Sequence, residues 1–328
     1  MDSHRGYHYL AYCSVGIHRN LGLCYYCHGF CVCDYSVDSL EKRKMNLTNY
    51  DEIRALLARH GFRFSKSMGQ NFLTASWVPE QIADSAMLDD KTAVLEIGPG
   101  IGCLTEQLSK RAAKVISIEL DKTLMPVLAE SLTGCENTEV IFGDAMKLDI
   151  SKIVAEDFKG YKPVVCANLP YNVTSPILTK LIGCGCFDAI TVMIQREVAR
   201  RICAGAGDSD YSAFGIFVQW YMNAEILFDV PPSCFVPQPK VTSSVIRLTR
   251  RSEPSAEVSD EKLMFSLIRA AFNMRRKTLV NAVSSNLPEI DKETFASVLE
   301  KCGFDARVRG EALSVSDFAL ITDELVKK

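Results

Sequence analysis

Between residues 93 and 204, five short apolar runs alternate with stretches of helical periodicity, and that alternation leaves few folds open. The runs are 93–97, 114–118, 138–142, 163–167 and 189–194, and the helical stretches are 103–111, 122–132, 174–182 and 195–204. Runs of five or six residues rich in Val, Ile, Leu and Ala read as buried strands. A helix between successive strands is the crossover that makes them parallel, so a doubly wound α/β sheet is expected. Upstream, residues 50–60 predict a helix with Ile53, Leu56 and Leu57 on one face and Gly61 as its stop. Residues 77–88 predict another, with Pro79 in its first turn. Two later runs, 224–229 and 243–249, flank a Pro-rich loop and are expected to pair as a hairpin at the sheet edge.

After the charged stretch 250–257 the pattern turns to helices only, which places a boundary there. Residues 45–250 are expected to form the α/β domain and 251–328 a small all-helical domain. Apolar residues make up 48% and charged residues 23% of the chain, enough for a core of that size. No run approaches the roughly 18 apolar residues that a membrane-spanning helix needs, so a cytoplasmic protein without membrane contact is expected. A monomer is expected too, since no exposed apolar repeat is evident.

Residues 1–44 differ in composition. They hold five of the thirteen cysteines, four of the five histidines and six of the eleven tyrosines. Cys24, Cys27, His28, Cys31 and Cys33 are spaced closely enough for zinc but lack a second, distant ligand pair. No metal is therefore expected. The segment is expected to be disordered or non-native, with Met45 as an alternative initiator. The remaining cysteines suit buried thiols in a reducing compartment.

Glu96-Ile-Gly98-Pro-Gly100-Ile-Gly102 falls between a strand and a helix, where glycines let the chain turn sharply and let a ligand press on bare backbone. Glu119 follows Gly98 by 21 residues, at the end of the second strand, where a carboxylate can take the ribose hydroxyls of a nucleoside cofactor. Asp144 follows the third strand and is placed to accept from an adenine amine, to cap a helix, or both. The spacing is Gly-x-Gly-x-Gly rather than that of dinucleotide enzymes, and no Gly-Lys-Ser/Thr follows to cradle a triphosphate. Strand ends aimed at one adenosine, without a phosphate-binding lysine, point to S-adenosyl-L-methionine.

Asn168-Leu169-Pro170-Tyr171 closes the fourth strand. An adenine N6 lone pair is delocalised into the ring; as it attacks a sulfonium methyl, its N–H bonds become better donors. Such a reaction calls for acceptors, which the Asn168 side chain and the Leu169 carbonyl supply. Pro170 biases Leu169 toward an extended conformation, and Tyr171 offers a ring on which a base can stack. His60 alone among the histidines lies outside the N-terminal segment, and this chemistry requires no histidine base.

These motifs, together with Gln70-Asn71-Phe72-Leu73, Gly143-Asp144-Ala145 and Phe235-Val-Pro-Gln-Pro-Lys240-Val241, resemble the ribosomal RNA adenine N6,N6-dimethyltransferases in order from about residue 46 onward. The resemblance implies a Rossmann-like S-adenosylmethionine-dependent methyltransferase fold. It further implies that Asn71 and Leu73 touch the cofactor, that Gly98 lies against its methionine part, that Glu119 holds its ribose and Asp144 its adenine. Asn168 then serves both cofactor and target, and Phe235 stacks on the extruded base opposite Tyr171.

Two branches of that family differ in substrate. One dimethylates two adjacent adenosines in a 3′-terminal hairpin of 16S rRNA within the small subunit and has a role in subunit biogenesis; the other confers erythromycin resistance through large-subunit rRNA. Leu169 and the segment Phe272-Asn-Met-Arg275-Arg276-Lys277-Thr-Leu-Val-Asn281, read as part of a C-terminal helix, resemble the first. Residues 240–277 carry nine Lys or Arg against four Asp or Glu on a chain of net charge −3, a local excess suited to phosphates. Lys240, Arg275, Arg276 and Lys277, with Arg196, Arg200 and Arg201 spaced for one helix face, are the expected RNA contacts. Other classes remain open: a silent relative kept for ribosome assembly, against which intact Asn168, Tyr171 and Phe235 argue, and a DNA adenine methylase, which Leu169 disfavours.

Overall fold

The computed structural model describes residues 45–62, 70–253 and 255–327. The thiol-rich stretch 24–33 and residues 63–69 of the loop before Phe72 lie outside the described residues.

The five apolar runs form the parallel strands β2 (Thr92–Ile97), β3 (Lys114–Glu119), β4 (Thr138–Phe142), β5 (Lys162–Asn168) and β6 (Ala189–Gln195). β2 is buried at all six positions, which explains why it reads as a continuous apolar run rather than an alternating one. The first strand in the chain, β1 (Phe72–Leu73), lies outside this sheet and pairs antiparallel with the two-residue β8 (Phe235–Val236). Two antiparallel strands, β7 (Met222–Val230) and β9 (Ser243–Arg250), complete a seven-stranded sheet of order β4-β3-β2-β5-β6-β9-β7. They pair as expected from the sequence, Met222 opposite Arg250 and Val230 opposite Ser243, with β9 inserted between β6 and the edge strand β7.

The helices α1 (Tyr50–Arg59), α2 (Trp77–Ser85), α3 (Cys103–Ser109), α4 (Met125–Ser131), α6 (Thr174–Gly183) and α7 (Arg196–Cys203) fall within the expected ranges. Two others were not legible. α5 (Ile150–Asp157) buries Ile150 alone, and Asp149 caps it by accepting from the Lys152 amide. α8 (Ala213–Tyr221) is apolar nearly all round because it is shared. Val218 joins the core beneath the sheet, whereas Ile216 and Trp220 join a second core built largely from the C-terminal helices. With both faces covered, the helix has no polar stripe to betray its period.

Four helices follow: α9 (Glu261–Asn273), α10 (Leu279–Asn286), α11 (Lys292–Lys301) and α12 (Val315–Val326). Asp260, Thr278, Asp291 and Ser314 cap their N-termini, the last in a reciprocal capping box with Asp317. Leu267, Val283, Phe295, Leu299 and Phe318 are buried between them. One expectation is corrected here. α9 stops at Asn273, so Arg275, Arg276 and Lys277 sit in the turn before α10, not on a helix face.

Helices α7 and α8 approach so closely that a Cβ built on Gly215 lies 2.2 Å from the Arg201 carbonyl oxygen. Backbone cannot yield as a side chain can, so Gly215→Ala is expected to destabilise the fold by about 1–3 kcal/mol. Chemical denaturation checks this: a lower midpoint at unchanged slope is predicted, and an unchanged midpoint contradicts the packing described.

Candidate active site

Strand β2 lies between β3 and β5, so the winding direction reverses beside it and the carboxyl ends of four strands open onto one crevice. That crevice is a cleft of about 1170 Å³. Asn71, Leu73, Gly98, Glu119, Asp144, Asn168, Leu169, Pro170, Tyr171 and Phe235 all line it, so residues chosen from motifs scattered over more than 160 positions meet in one place.

The glycine loop is held open by its conformation. Gly98 and Gly100 have φ of +74° and +61°, a region that side-chain-bearing residues rarely enter. A Cβ on Gly100 lies 3.2 Å from the Phe72 ring, because the β1 segment folds directly over the loop. Gln70, just before β1, donates to Asp121 at 2.8 Å and ties that segment to the end of β3.

Two carboxylates stand behind and beside the loop. Glu119 is buried and accepts from the amides of Asp121 at 2.8 Å and Gly100 at 3.3 Å, and burial raises its pKa above the usual range. Glu96, buried deeper, accepts from Thr105 of α3 at 2.6 Å and Ser117 of β3 at 2.7 Å. Burial pushes its pKa up to about 7, with the neighbouring Glu119 charge adding to the shift. The motif contains Glu96 but does not disclose its task, because its fastening of α3 to β3 across the loop exists only in the fold. Asp144 accepts from the Met146 amide at 2.9 Å. It caps a turn and not a helix, which corrects the capping role considered for it; Asp149 caps α5 instead.

At the end of β5, the Asn168 side chain makes no hydrogen bond to the described residues and is half-buried at the cleft wall. The Leu169 amide donates to the Met193 carbonyl at 3.1 Å, and the Pro170 carbonyl accepts from Thr174 Oγ1 at 3.0 Å. These bonds fix the turn while leaving the Asn168 amide available. Tyr171 Oη lies 2.7 Å from Ser243 Oγ, and burial raises the phenol above its ordinary pKa. Phe235 lines the same cleft, yet only 1% of it is exposed, so its face becomes available to a base only when the neighbouring chain shifts.

The electrostatics are one-sided. Glu96, Glu119, Asp121 and Asp144 line the cleft, and no Lys, Arg or His does so among the described residues. Cys103 also lines it, but burial pushes that thiol up to about 12, so it is no thiolate nucleophile at neutral pH. His60 is elsewhere, 2.7 Å from Glu130. Among the described residues the arrangement offers hydrogen-bond acceptors and negative charge and no strong base.

The comparisons with known proteins agree with this geometry. The family model for ribosomal RNA adenine dimethylase matches residues 61–325. The chain belongs to the ribosomal RNA adenine dimethylase family. Among its relatives in the family, the ribosomal RNA small subunit methyltransferase A of Alkaliphilus metalliredigens is 45% identical over 276 residues, covering 84% of this chain and 96% of the relative. The protein of the same name from Clostridium perfringens strain SM101 is 45% identical over 286 residues, covering 86% and 99%. Among solved structures, a dimethyladenosine transferase from Plasmodium falciparum superposes with a TM-score of 0.66 at 28% identity, covering 78% of this chain and 97% of the other. The 23S rRNA methyltransferase ErmE gives 0.60 at 25% identity, covering 78% and 99%.

The basic residues expected to meet RNA are dispersed around this dimethylase fold. Arg196, exposed at the start of α7, ion-pairs with Asp229 at 3.6 Å; Arg201 pairs with Glu197 on its own helix, and Arg200 is exposed beside them. Lys240, Arg276 and Lys277 are also exposed. Arg275 is engaged internally, donating to the Ser209 carbonyl at 3.1 Å and to Glu311 at 3.0 Å, with its guanidinium 5.9 Å from the Phe272 ring. Among the described residues no helix is long and apolar enough to cross a membrane, and no group of three or more potential metal ligands is present.

Because the folded-state pKa of Glu96 is raised from 4.5 to about 7, the folded state holds a proton that the unfolded chain releases. The associated stability is fully present below about pH 4.5 and is lost as pH rises through 7. Relative to Glu96→Gln, which keeps an oxygen for Thr105 and Ser117, the parent protein is expected to lose about 3 kcal/mol between pH 4 and pH 8. Thermal unfolding across that range checks this, and parallel pH profiles contradict it.

Proposed function

We propose that this chain binds S-adenosyl-L-methionine in the cleft and dimethylates N6 of two adjacent adenosines in the 3′-terminal hairpin of 16S rRNA, within the small subunit and in the cytoplasm. The single observation that carries this reading is the convergence of Glu119, Asp144 and an unbonded Asn168 amide in a cleft without cations among the described residues.

The donor set of the cofactor matches the cleft. Its ribose hydroxyls, adenine amine, ammonium and sulfonium groups all seek acceptors or negative charge, and the cleft offers both. Glu119, already oriented by two backbone amides, takes the ribose hydroxyls, and Asp144 takes the adenine amine. Gly98, lacking a Cβ, lets the methionine part lie against the backbone, with Leu73 of β1 and Asn71 just before it closing over it. The bound cofactor supplies an electrophilic methyl group.

The protein's part in transfer is to position and to accept. The Asn168 oxygen and the Leu169 carbonyl accept the N6 hydrogens as the nitrogen gains positive charge, so they bind the transition state more tightly than the neutral amine. Tyr171 supports the base, and Phe235 covers its other face once the target has entered. The exposed Arg196, Arg200, Arg201, Lys240, Arg276 and Lys277 hold RNA phosphates. Arg275, tied to Glu311, serves the turn that presents its two neighbours. Residues 251–328 act in this reading as the helical RNA-binding domain appended to the methyltransferase domain 45–250. The relatives at 45% identity are named for the small subunit, which supports that substrate over the large-subunit one.

Transfer from labelled S-adenosylmethionine to unmethylated small subunits, with large-subunit RNA in parallel, tests the reading. N6,N6-dimethyladenosine in small-subunit RNA is expected, and Asn168→Ala is expected to slow its formation about a hundredfold, the scale for losing one preorganised transition-state contact. Label confined to large-subunit RNA contradicts the substrate, and tight subunit binding without transfer contradicts the activity.

A further inference from the structure

We infer that Ser243 is a positioning residue for methyl transfer: it locks the Tyr171 ring to the end of the chain segment that carries Phe235, and so sets the gap into which the target base must fit. The inference rests on the function proposed above.

Ser243 opens β9 and is completely buried. Its backbone is paired on both sides, with Gln195 of β6 and with Val230 of β7. Its Cα is therefore fixed by two ladders and cannot follow a neighbour that moves. The next residue, Ser244, points to the other face of the strand and donates to Asp229 at 2.5 Å, so the Ser243 hydroxyl is the one directed at the cleft side.

Tyr171 has no such anchorage of its own. It begins a short 3-10 turn, Tyr171–Val173, that follows the strand end, and its ring is only partly buried. An aromatic ring on a turn can exchange rotamers on a nanosecond scale unless its tip is held. The tip is held: Tyr171 Oη and Ser243 Oγ are 2.7 Å apart. Burial keeps the phenol protonated well past neutral pH, so the bond persists over the working range.

In the function proposed above Phe235 forms the other side of the slot, and its backbone is held independently although its ring is still covered. Phe235 pairs with Leu73 in the β1–β8 ladder, and the adjacent Cys234 carbonyl accepts from the Thr74 amide at 2.8 Å. Residues 237–242 then run from that wall to Ser243. One continuous segment thus bears one side of the slot at its start and secures the other side at its end. A serine that served only to satisfy a buried strand position has no need to reach across 72 residues to a cleft-lining ring.

A double-mutant cycle tests this, using single-turnover methyl transfer to unmethylated small subunits and calorimetric S-adenosylmethionine binding for the parent, Ser243→Ala, Tyr171→Phe and the double variant. Loss of one hydrogen bond that orients a reacting partner predicts a rate about tenfold lower for each single variant. The double variant is expected to be no slower than either, because both changes remove the same contact. Cofactor affinity is expected to stay within about twofold of the parent, which separates positioning of the target from general damage to the cleft. Tyr171→Phe alters no buried atom of β9, so the cycle remains informative should Ser243→Ala fold poorly. Full activity of Ser243→Ala overturns the inference, as do additive losses or cofactor affinity falling in step with rate. No transfer by the parent chain, with cofactor binding intact, instead defeats the function proposed above.

Discussion

The chain winds outward from β2 through β3 and β4, then returns to place β5 on the other flank of β2, and the chemistry of the cleft depends on that reversal. Helices leave the strand ends in opposite directions there, so a crevice opens at the one place where no crossover can cover the sheet edge. Each strand delivers one chemical group to it. β2 gives the glycine turn, β3 ends in Glu119, β4 is followed by Asp144, and β5 ends in Asn168. Because these strands are largely buried and paired on both sides, apart from the edge strand β4, the groups are held before any ligand arrives. Preorganisation of this kind keeps the reorganisation cost out of the reaction itself.

The charge distribution follows from the same constraint. Buried carboxylates are costly unless bonded, and here each has its donors: Thr105 and Ser117 for Glu96, two backbone amides for Glu119, and Thr123 with Gln70 for Asp121. The donors come from the loop, from α3, from β3 and the turn after it, and from the segment before β1, so satisfying the carboxylates also fastens the elements that frame the cleft. Among the described residues the cations stand outside the cleft: exposed Arg and Lys residues lie on α7, in the loop after β8 and in the turn after α9. In the function proposed above, a polyanionic partner and a cationic cofactor would then meet different surfaces of one molecule.

Much of this was legible from the amino-acid order. Strands β2, β3, β5 and β6 announce themselves because burial on both faces demands mostly apolar residues, and the glycine loop because positive φ demands glycine. α8 was hidden for the opposite reason, since packing between two cores erased its amphipathic pattern, and α5 because it buries little. β1 and β8 are two residues each, too short for any periodicity, yet their pairing brings Leu73 and Phe235 together. Ten of the residues that line the cleft were named from motifs, though Asp121 was not. The supports behind them were not: Thr105, Ser117 and Ser243 are ordinary hydroxyls whose partners lie 9 to 72 residues away in sequence. Nor does a basic cluster in sequence disclose that one member, Arg275, is ion-paired with Glu311.

In the function proposed above, the cleft selects its ligand by offering acceptors and, among the described residues, no cation. Calorimetric titration of the full chain with S-adenosylmethionine, ATP and NAD⁺ tests it most directly, since all three carry adenosine and differ in what is attached to it. The account predicts saturable binding of S-adenosylmethionine, weakened about ten- to hundredfold by Glu119→Ala as a charge-assisted contact is lost, and no binding of the two phosphorylated nucleotides in the same range. Binding of ATP or NAD⁺ with comparable affinity, or indifference of S-adenosylmethionine binding to Glu119→Ala, contradicts it.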